Sequence, residues 1–430
     1  MPILASMSEI PLGTDNLVYD WNEVGRRGRV IPASVEFLDE TLRDGLQNAS
    51  VADPSIEDKL KLIHLMSKIG IHVADIGLPG SSKRAFDDVL RMCQEIVNHK
   101  LPLRVSCAGR TVVTDILPMV EISQKAGIPV EVYTFVGSSP IRHYAEEWDV
   151  QTIAKRSADA IDVGVKNGLP VAFVTEDTTR SHPTMLATLF KTAIDHGASR
   201  LCLCDTVGHA TPDGVRNLIS FTKSVIAGMG AKVGIDWHGH NDRGLALENA
   251  LWAIEFGADR VHGTALGVGE RVGNTAMELV ILNLKLLGLL GQQDETHLIE
   301  YCTTAAQALK VQVPINYPLV GRDAFRTATG VHAAAIIKAM NKGDAWLADR
   351  IYSGVPAHLF GREQEICIGF MSGASNVSYW LRKRKIEPSK ELVDAILAKA
   401  KDSAQILSDE EVMEIVGRFH QGASAAAQAG

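Results

Sequence analysis

The 430-residue chain lacks the features that define several protein classes. It has only six cysteines and no Cys-x-x-Cys pair, so neither a disulfide framework nor a paired-thiol zinc site is indicated, and a reducing cytoplasmic setting is expected. Positive charge is in deficit: Lys and Arg number 43 against 51 Asp and Glu, a net charge of −8, which argues against nucleic acid as a partner. An acidic substrate must therefore be met by local Arg or Lys. Long apolar runs are missing too. The most apolar stretch, Leu279 to Leu290, is broken by Asn283 and Lys285 and falls short of the ~20 residues that cross a bilayer. The first thirty residues show no basic segment followed by an apolar core, so no secretion signal is expected.

What is present is alternation. Short β-branched runs occur at Val35–Asp39, His72–Gly77, Leu103–Ala108, Val130–Phe135, Val171–Glu176, Arg200–Asp205, Val233–His238 and Arg260–Thr264. Segments with helical apolar spacing separate them, as in Ile56, Leu60, Ile63, Met66 and Ile69. Gly70, Gly127, Gly168, Gly197 and Gly257 stand where such helices would end. Strand–helix alternation implies a parallel sheet, and eight units imply a closed (β/α)8 TIM barrel, with a doubly wound open sheet as the runner-up. The expected organisation is an extension over 1–33, a barrel over 34–290, an appended helical region over 296–420 and a low-complexity tail over 421–430.

Barrel chemistry stands at the C-terminal ends of the strands. Polar residues cluster there after nearly every run. The first is followed by Asp39 to Asn48, the fifth ends in Glu176, Asp177 and Arg180, and the sixth is followed by Asp205, Thr206 and His209. The seventh ends in His238-Gly239-His240, two histidines on one face of a strand. With Asp44 and Asn274 they would make a set of two imidazoles, a carboxylate and an amide, suited to Mg²⁺, Mn²⁺ or Zn²⁺ with open positions. Simpler readings stand beside these. Arg43 and Asp44 could be an ordinary ion pair, Glu176 could merely orient Arg180, and Cys202-Leu203-Cys204 looks like core. The glycine-rich run 263–273 lacks a dinucleotide fingerprint and fits a phosphate cradle, a lid or a plain connection.

Taken together, the motifs resemble the metal-dependent TIM-barrel family that contains 2-isopropylmalate, homocitrate and citramalate synthases and hydroxymethylglutaryl-CoA lyase. The residues that carry the resemblance are Asp39 and Thr41 to Gly45, Gly77 to Pro79, Thr134-Phe135 with Ser139, Glu176-Asp177, Asp205 to Gly208, His238 to Gly244 and Gly269 to Asn274. Beyond the barrel, Thr329 to His332 and Met371 to Asn376 resemble segments of the synthases, and the lyase's cysteine loop has no counterpart.

The resemblance implies a metal held by Asp44, His238, His240 and Asn274, with Arg43 stabilising the oxyanion or enolate and Glu176 exchanging protons. It makes His332 an aid to deprotonation, often in a neighbouring subunit's site. Gln47, Asp75, Tyr133, Thr206 and His209 would contact the oxo acid. At Asp75, Tyr133 and His209 the chain departs from the usual isopropylmalate synthase residues, and residues 44–48 look lyase-like. The implied activity is condensation of acetyl-CoA with a 2-oxo acid, best 2-oxoisovalerate, by a homodimeric enzyme of leucine biosynthesis that lacks the leucine-sensing domain. Homocitrate, citramalate or Re-type citrate synthesis are alternatives, as are lyase cleavage and a barrel used only for binding.

Overall fold

The computed structural model describes residues 17–23, 35–290 and 294–429. The expected N-terminal extension therefore lies largely outside the described residues, apart from a short turn at Trp21–Glu23.

Eight strands form a closed barrel in sequence order: β1 (Glu36–Asp39), β2 (Val73–Asp75), β3 (Arg104–Arg110), β4 (Val130–Gly137), β5 (Val171–Glu176), β6 (Arg200–Asp205), β7 (Gly234–Gly239) and β8 (Arg260–Gly263). Every pairing is parallel, and β8 closes on β1 with Leu38 opposite His262. The helices between them are α1 (Ile56–Lys68), α2 (Lys83–His99), α3 (Val113–Ala126), α4 (Pro140–Glu146), α5 (Val150–Lys166), α6 (Pro183–Asp195), α7 (Pro212–Gly228) and α8 (Ala246–Phe256), with α9 (Met277–Leu286) after β8. The fold is thus the (β/α)8 barrel with a helical C-terminal region.

Helix α1 shows how local sequence sets an element. The Ser55 side chain accepts the Asp58 N–H, a cap worth about 1 kcal/mol. Leu62, Ile63 and Met66 turn one apolar face into the barrel's core. The chain leaves the helix through Gly70 at φ +80°, a conformation in which other residues are strained.

Helix α10 (His297–Leu309), the first helix of the region expected to be appended, shares the barrel's apolar core. It packs on α1, and its buried Tyr301 donates its hydroxyl to Asp39 at the end of β1. The same core takes in Phe325 and Phe360. Beyond it lie α11 (Gly330–Asn341), α12 (Ala345–Arg350), α13 (Ala374–Lys383), α14 (Lys390–Lys401) and α15 (Asp409–Ala429), where Trp380, Leu392, Ile396 and Val412 form a second core. Helix α15 continues through the segment expected to be a loose tail.

The lower barrel interior is ionic. Arg260, fully buried, lies 2.6 Å from Glu36 and 3.0 Å from Glu131 and donates to the Tyr133 hydroxyl. Arg200 lies 2.6 Å from Asp236, which also accepts from Tyr133 at 2.5 Å. Buried charges survive only when paired in this way. The network fills the barrel from below and leaves space above it.

Candidate active site

That space is a cavity of about 280 Å³ at the C-terminal ends of the strands. Strand alternation points Asp236, His238 and His240 inward at successive depths. His240 follows the end of β7, where it bridges to Asn274 and its N–H donates to the Asp205 carbonyl at 3.1 Å. The Asn274 loop is held tight by Gly273 at φ +96°, where a Cβ would sit 1.9 Å from the Gly267 carbonyl oxygen. No other residue fits there.

One ligand atom from each of Asp44, His238 and His240 lies within 4.8 Å of the others. The two Nε2 atoms are 3.1 Å apart, and Asp44 Oδ2 is 3.8 Å from that of His238 and 3.4 Å from that of His240. Asn274 Nδ2 donates to the same carboxylate at 2.5 Å, while its Oδ1 is buried without a partner. Burial holds both histidines neutral, lowering each to about 4. Burial alone would raise Asp44, but Arg43 and the two histidines outweigh it and hold the carboxyl well below its ordinary range. Two neutral imidazoles and an ionised carboxylate gathered in this way, with an orphaned amide oxygen on the neighbouring Asn274, are a donor set that suits a divalent cation.

Two neighbours orient this set, and neither was singled out from sequence. Glu40 Oε1 lies 2.7 Å from His238 Nδ1 and 2.7 Å from His262 Nδ1. A carboxylate only accepts, so the His238 proton sits on Nδ1 and its Nε2 lone pair faces Asp44. Glu40 also pairs with Arg43. His262 Nε2 in turn lies 3.2 Å from Asp236, linking the site to the ionic floor. The available signals were Glu40 inside the Asp39–Asp44 run and His262 two residues beyond Arg260, on its face of β8.

Other expected residues sort as follows. Arg43 lines the cavity while also paired to Asp44 at 3.2 Å and Asp75 at 2.9 Å, so the ion pair and the site are one arrangement. Asp75 does not itself reach the cavity wall; it holds Arg43. Gln47 and Thr206 lie on the wall, and the Thr206 hydroxyl accepts the Asp177 N–H at 2.8 Å. Tyr133 forms the floor, its hydroxyl bound to Asp236 and Arg260. Glu176 lines the wall with its pKa raised, chiefly by burial. It faces Arg142 at 3.6 Å and does not orient Arg180, whose guanidinium is held by Asp177.

His209 stands apart from these: its side chain is exposed and does not line the cavity, and its backbone N–H donates to Asp205. His332 is exposed on α11, stacked on Tyr352 at 4.1 Å between ring centroids, and does not line this chain's cavity. Cys202 and Cys204, read as core, are buried but form cavity wall with Leu78, Ala108, Phe135 and Val174. Glu270 of the glycine-rich loop stands at the mouth, and Arg271 fixes that loop to Asp242 at 2.8 Å.

A parallel barrel with two histidines and a carboxylate gathered at its mouth is a TIM barrel with a candidate metal site. The HMGL-like family model matches residues 34–306, and the chain belongs to that family. It is 30% identical over 391 residues to homocitrate synthase AksA of Methanopyrus kandleri, covering 90% of this chain and 92% of that protein. It is also 30% identical over 396 residues to 2-isopropylmalate synthase of Methanocaldococcus jannaschii, covering 90% of this chain and 72% of that one. Among solved structures, the HMG-CoA lyase of Acinetobacter baumannii, in complex with coenzyme A and 3-methylmalate, aligns with a TM-score of 0.56 at 21% identity, over 66% of this chain and 93% of that chain. Among the described residues no helix is long and apolar enough to cross a membrane.

Proposed function

We propose that the protein is an acyltransferase that condenses acetyl-CoA with a monocarboxylic 2-oxo acid, best 2-oxoisovalerate, to give 2-isopropylmalate and CoA. The observation that carries the choice of acid is the cavity wall. Besides the metal donors and the polar Gln47, Thr206, Glu176, His262 and Glu270, it is Leu78, Ala108, Phe135, Val174, Cys202, Cys204 and the Tyr133 ring, and Arg43 is its one permanent cation. A second carboxylate, as in 2-oxoglutarate or oxaloacetate, would meet no free counter-charge there and would face Glu176 and Glu270 at the mouth. An aliphatic side chain buries against this wall at ~25 cal/mol per Å².

A divalent cation held by Asp44, His238, His240 and Asn274 supplies Lewis-acid polarisation of the substrate carbonyl when bound. The Thr206 hydroxyl and Gln47 orient the oxo acid's carboxylate. Transfer of a methyl proton from acetyl-CoA to a base, with the neighbouring copy's His332 in that role, gives an enolate whose carbon bonds to the keto carbon, and Arg43 donates to the oxygen that gains the charge. Glu176, with its raised pKa, returns a proton to that oxygen. Water then cleaves the thioester, releasing the thiol of CoA and the new carboxylate. Homodimerisation through α11 is supported by the exposed Val331, Tyr352, Phe370 and Met371 around it. The helical region acts as this docking and lid element, and a cytoplasmic setting accords with six cysteines free of disulfides.

The test is thiol release from acetyl-CoA with Mg²⁺ or Mn²⁺ and, in turn, 2-oxoisovalerate, pyruvate, 2-oxoglutarate and oxaloacetate. The branched acid is expected to give the highest kcat/KM. A higher value for 2-oxoglutarate or oxaloacetate would refute the wall argument. No release with any acid, together with acetyl-CoA formed from hydroxymethylglutaryl-CoA, would replace the synthase by a lyase.

A further inference from the structure

A second set of metal donors stands on the outer wall of the barrel, away from the cavity. His64 projects from α1, and Glu95 and His99 project from α2, where the four-residue spacing puts them on one face. His64 Nε2 lies 3.0 Å and His99 Nε2 3.1 Å from the same oxygen, Glu95 Oε1. The three ligand atoms fall within 4.8 Å of one another, as do those of Asp44, His238 and His240. Arg91 holds the other carboxylate oxygen at 2.8 Å, which fixes the rotation of Glu95 and aims Oε1 at both rings.

We propose that His64, Glu95 and His99 form a second divalent-metal site, for a borderline ion such as Zn²⁺, Ni²⁺ or Cu²⁺. Two imidazoles and a single carboxylate favour these ions over Mg²⁺ or Ca²⁺, which require more oxygen donors. In the described arrangement both ring nitrogens can share one carboxylate oxygen only by donating protons to it. With each ring's proton shifted to Nδ1, a cation takes the two Nε2 lone pairs and one from the carboxylate oxygen. The donors are already gathered. Glu95 is 9% exposed, and α1 and α2 are locked together beneath it by Leu62, Met66, Met92 and Ile96. Little side-chain ordering is then left to oppose binding. The open positions face solvent, since His99 lies on the exposed side. A bound ion would staple the first two outer helices near the barrel's N-terminal end, the end that serves stability in this fold.

The experiment is equilibrium dialysis of the chelator-stripped full-length protein against Zn²⁺, with bound zinc measured per chain. His64→Gln/His99→Gln is expected to bind about one ion per chain fewer than the wild type, and to do so without loss of fold, because these side chains sit at the surface. Glu95→Gln, which keeps the hydrogen-bonding shape but not the anion, is expected to show the same deficit. His238→Ala/His240→Ala, which removes catalytic donors, should retain the outer ion. Zinc content in the His64/His99 variant equal to that of the wild type would overturn the proposal.

Discussion

Glu40 Oε1 and His238 Nδ1 are 2.7 Å apart, and this contact decides which way the first metal donor faces. With its proton held on Nδ1, His238 has one orientation in which it can serve the site. Carboxylate–histidine contacts of this kind govern metal affinity about 10–100-fold. Glu40→Gln is expected to weaken divalent-metal binding by about that factor, as read by calorimetric titration. An unchanged dissociation constant would show that His238 is oriented by packing alone.

Arg43 meets Glu40, Asp44 and Asp75 at once, each through a different nitrogen of its planar fork. Arg43→Lys keeps the charge and loses the fork. The expected result is a fall in kcat on the order of 10²–10³, with a smaller change in the KM for acetyl-CoA. A loss confined to KM would assign Arg43 to binding and not to charge stabilisation.

Tyr301 ties α10 to the barrel by donating to Asp39, whose pKa burial raises to about 6. Tyr301→Phe removes the donor and leaves a buried carboxyl short of a partner. Stability to urea should fall by about 1–3 kcal/mol. No change would mean that α10 is held by its apolar face alone.

Glu36 carries a pH signature. Burial raises its pKa, but Arg104 and Arg260 prevail and lower it from 4.5 to about 2. A carboxyl depressed in the folded state contributes stability that is complete above 4.5 and lost as pH falls toward 2, because the unfolded chain takes up the proton first. Glu36→Gln should therefore be less stable at neutral pH and show a shallower decline through that acid window, in denaturant titrations at a series of pH values. Parallel curves for mutant and wild type would contradict the assignment.

The barrel was legible because its signal is local and repeated. All eight strands occur where β-branched runs predict them, and the five helix-ending glycines all adopt positive φ. The histidine pair was legible for the same reason, since period-two alternation needs no knowledge of distant residues. Contacts made across the barrel were not. Glu40 meets His262 over a separation of 222 residues, and only closure of β8 on β1 brings them together. Glu176 and Arg180, close in sequence, are separated because Asp177 takes up a left-handed turn and binds Arg180 itself. His209 follows Gly208, which packs against Asp242 and sends the chain outward. Helix α10 looked like the start of a new region because its apolar pattern does not say which surface it covers.

The ionic floor beneath Tyr133 also restricts how this enzyme could change its diet. Arg260, Asp236, Glu131 and Glu36 satisfy one another, so exchanging any one of them to deepen the cavity would strand a buried charge. On the proposed function, a longer oxo acid would be admitted sideways, by trimming Leu78, Phe135 or Val174. These apolar positions can be altered one at a time at modest cost. A change of substrate preference is therefore expected to be reached through the upper wall, with the floor left intact.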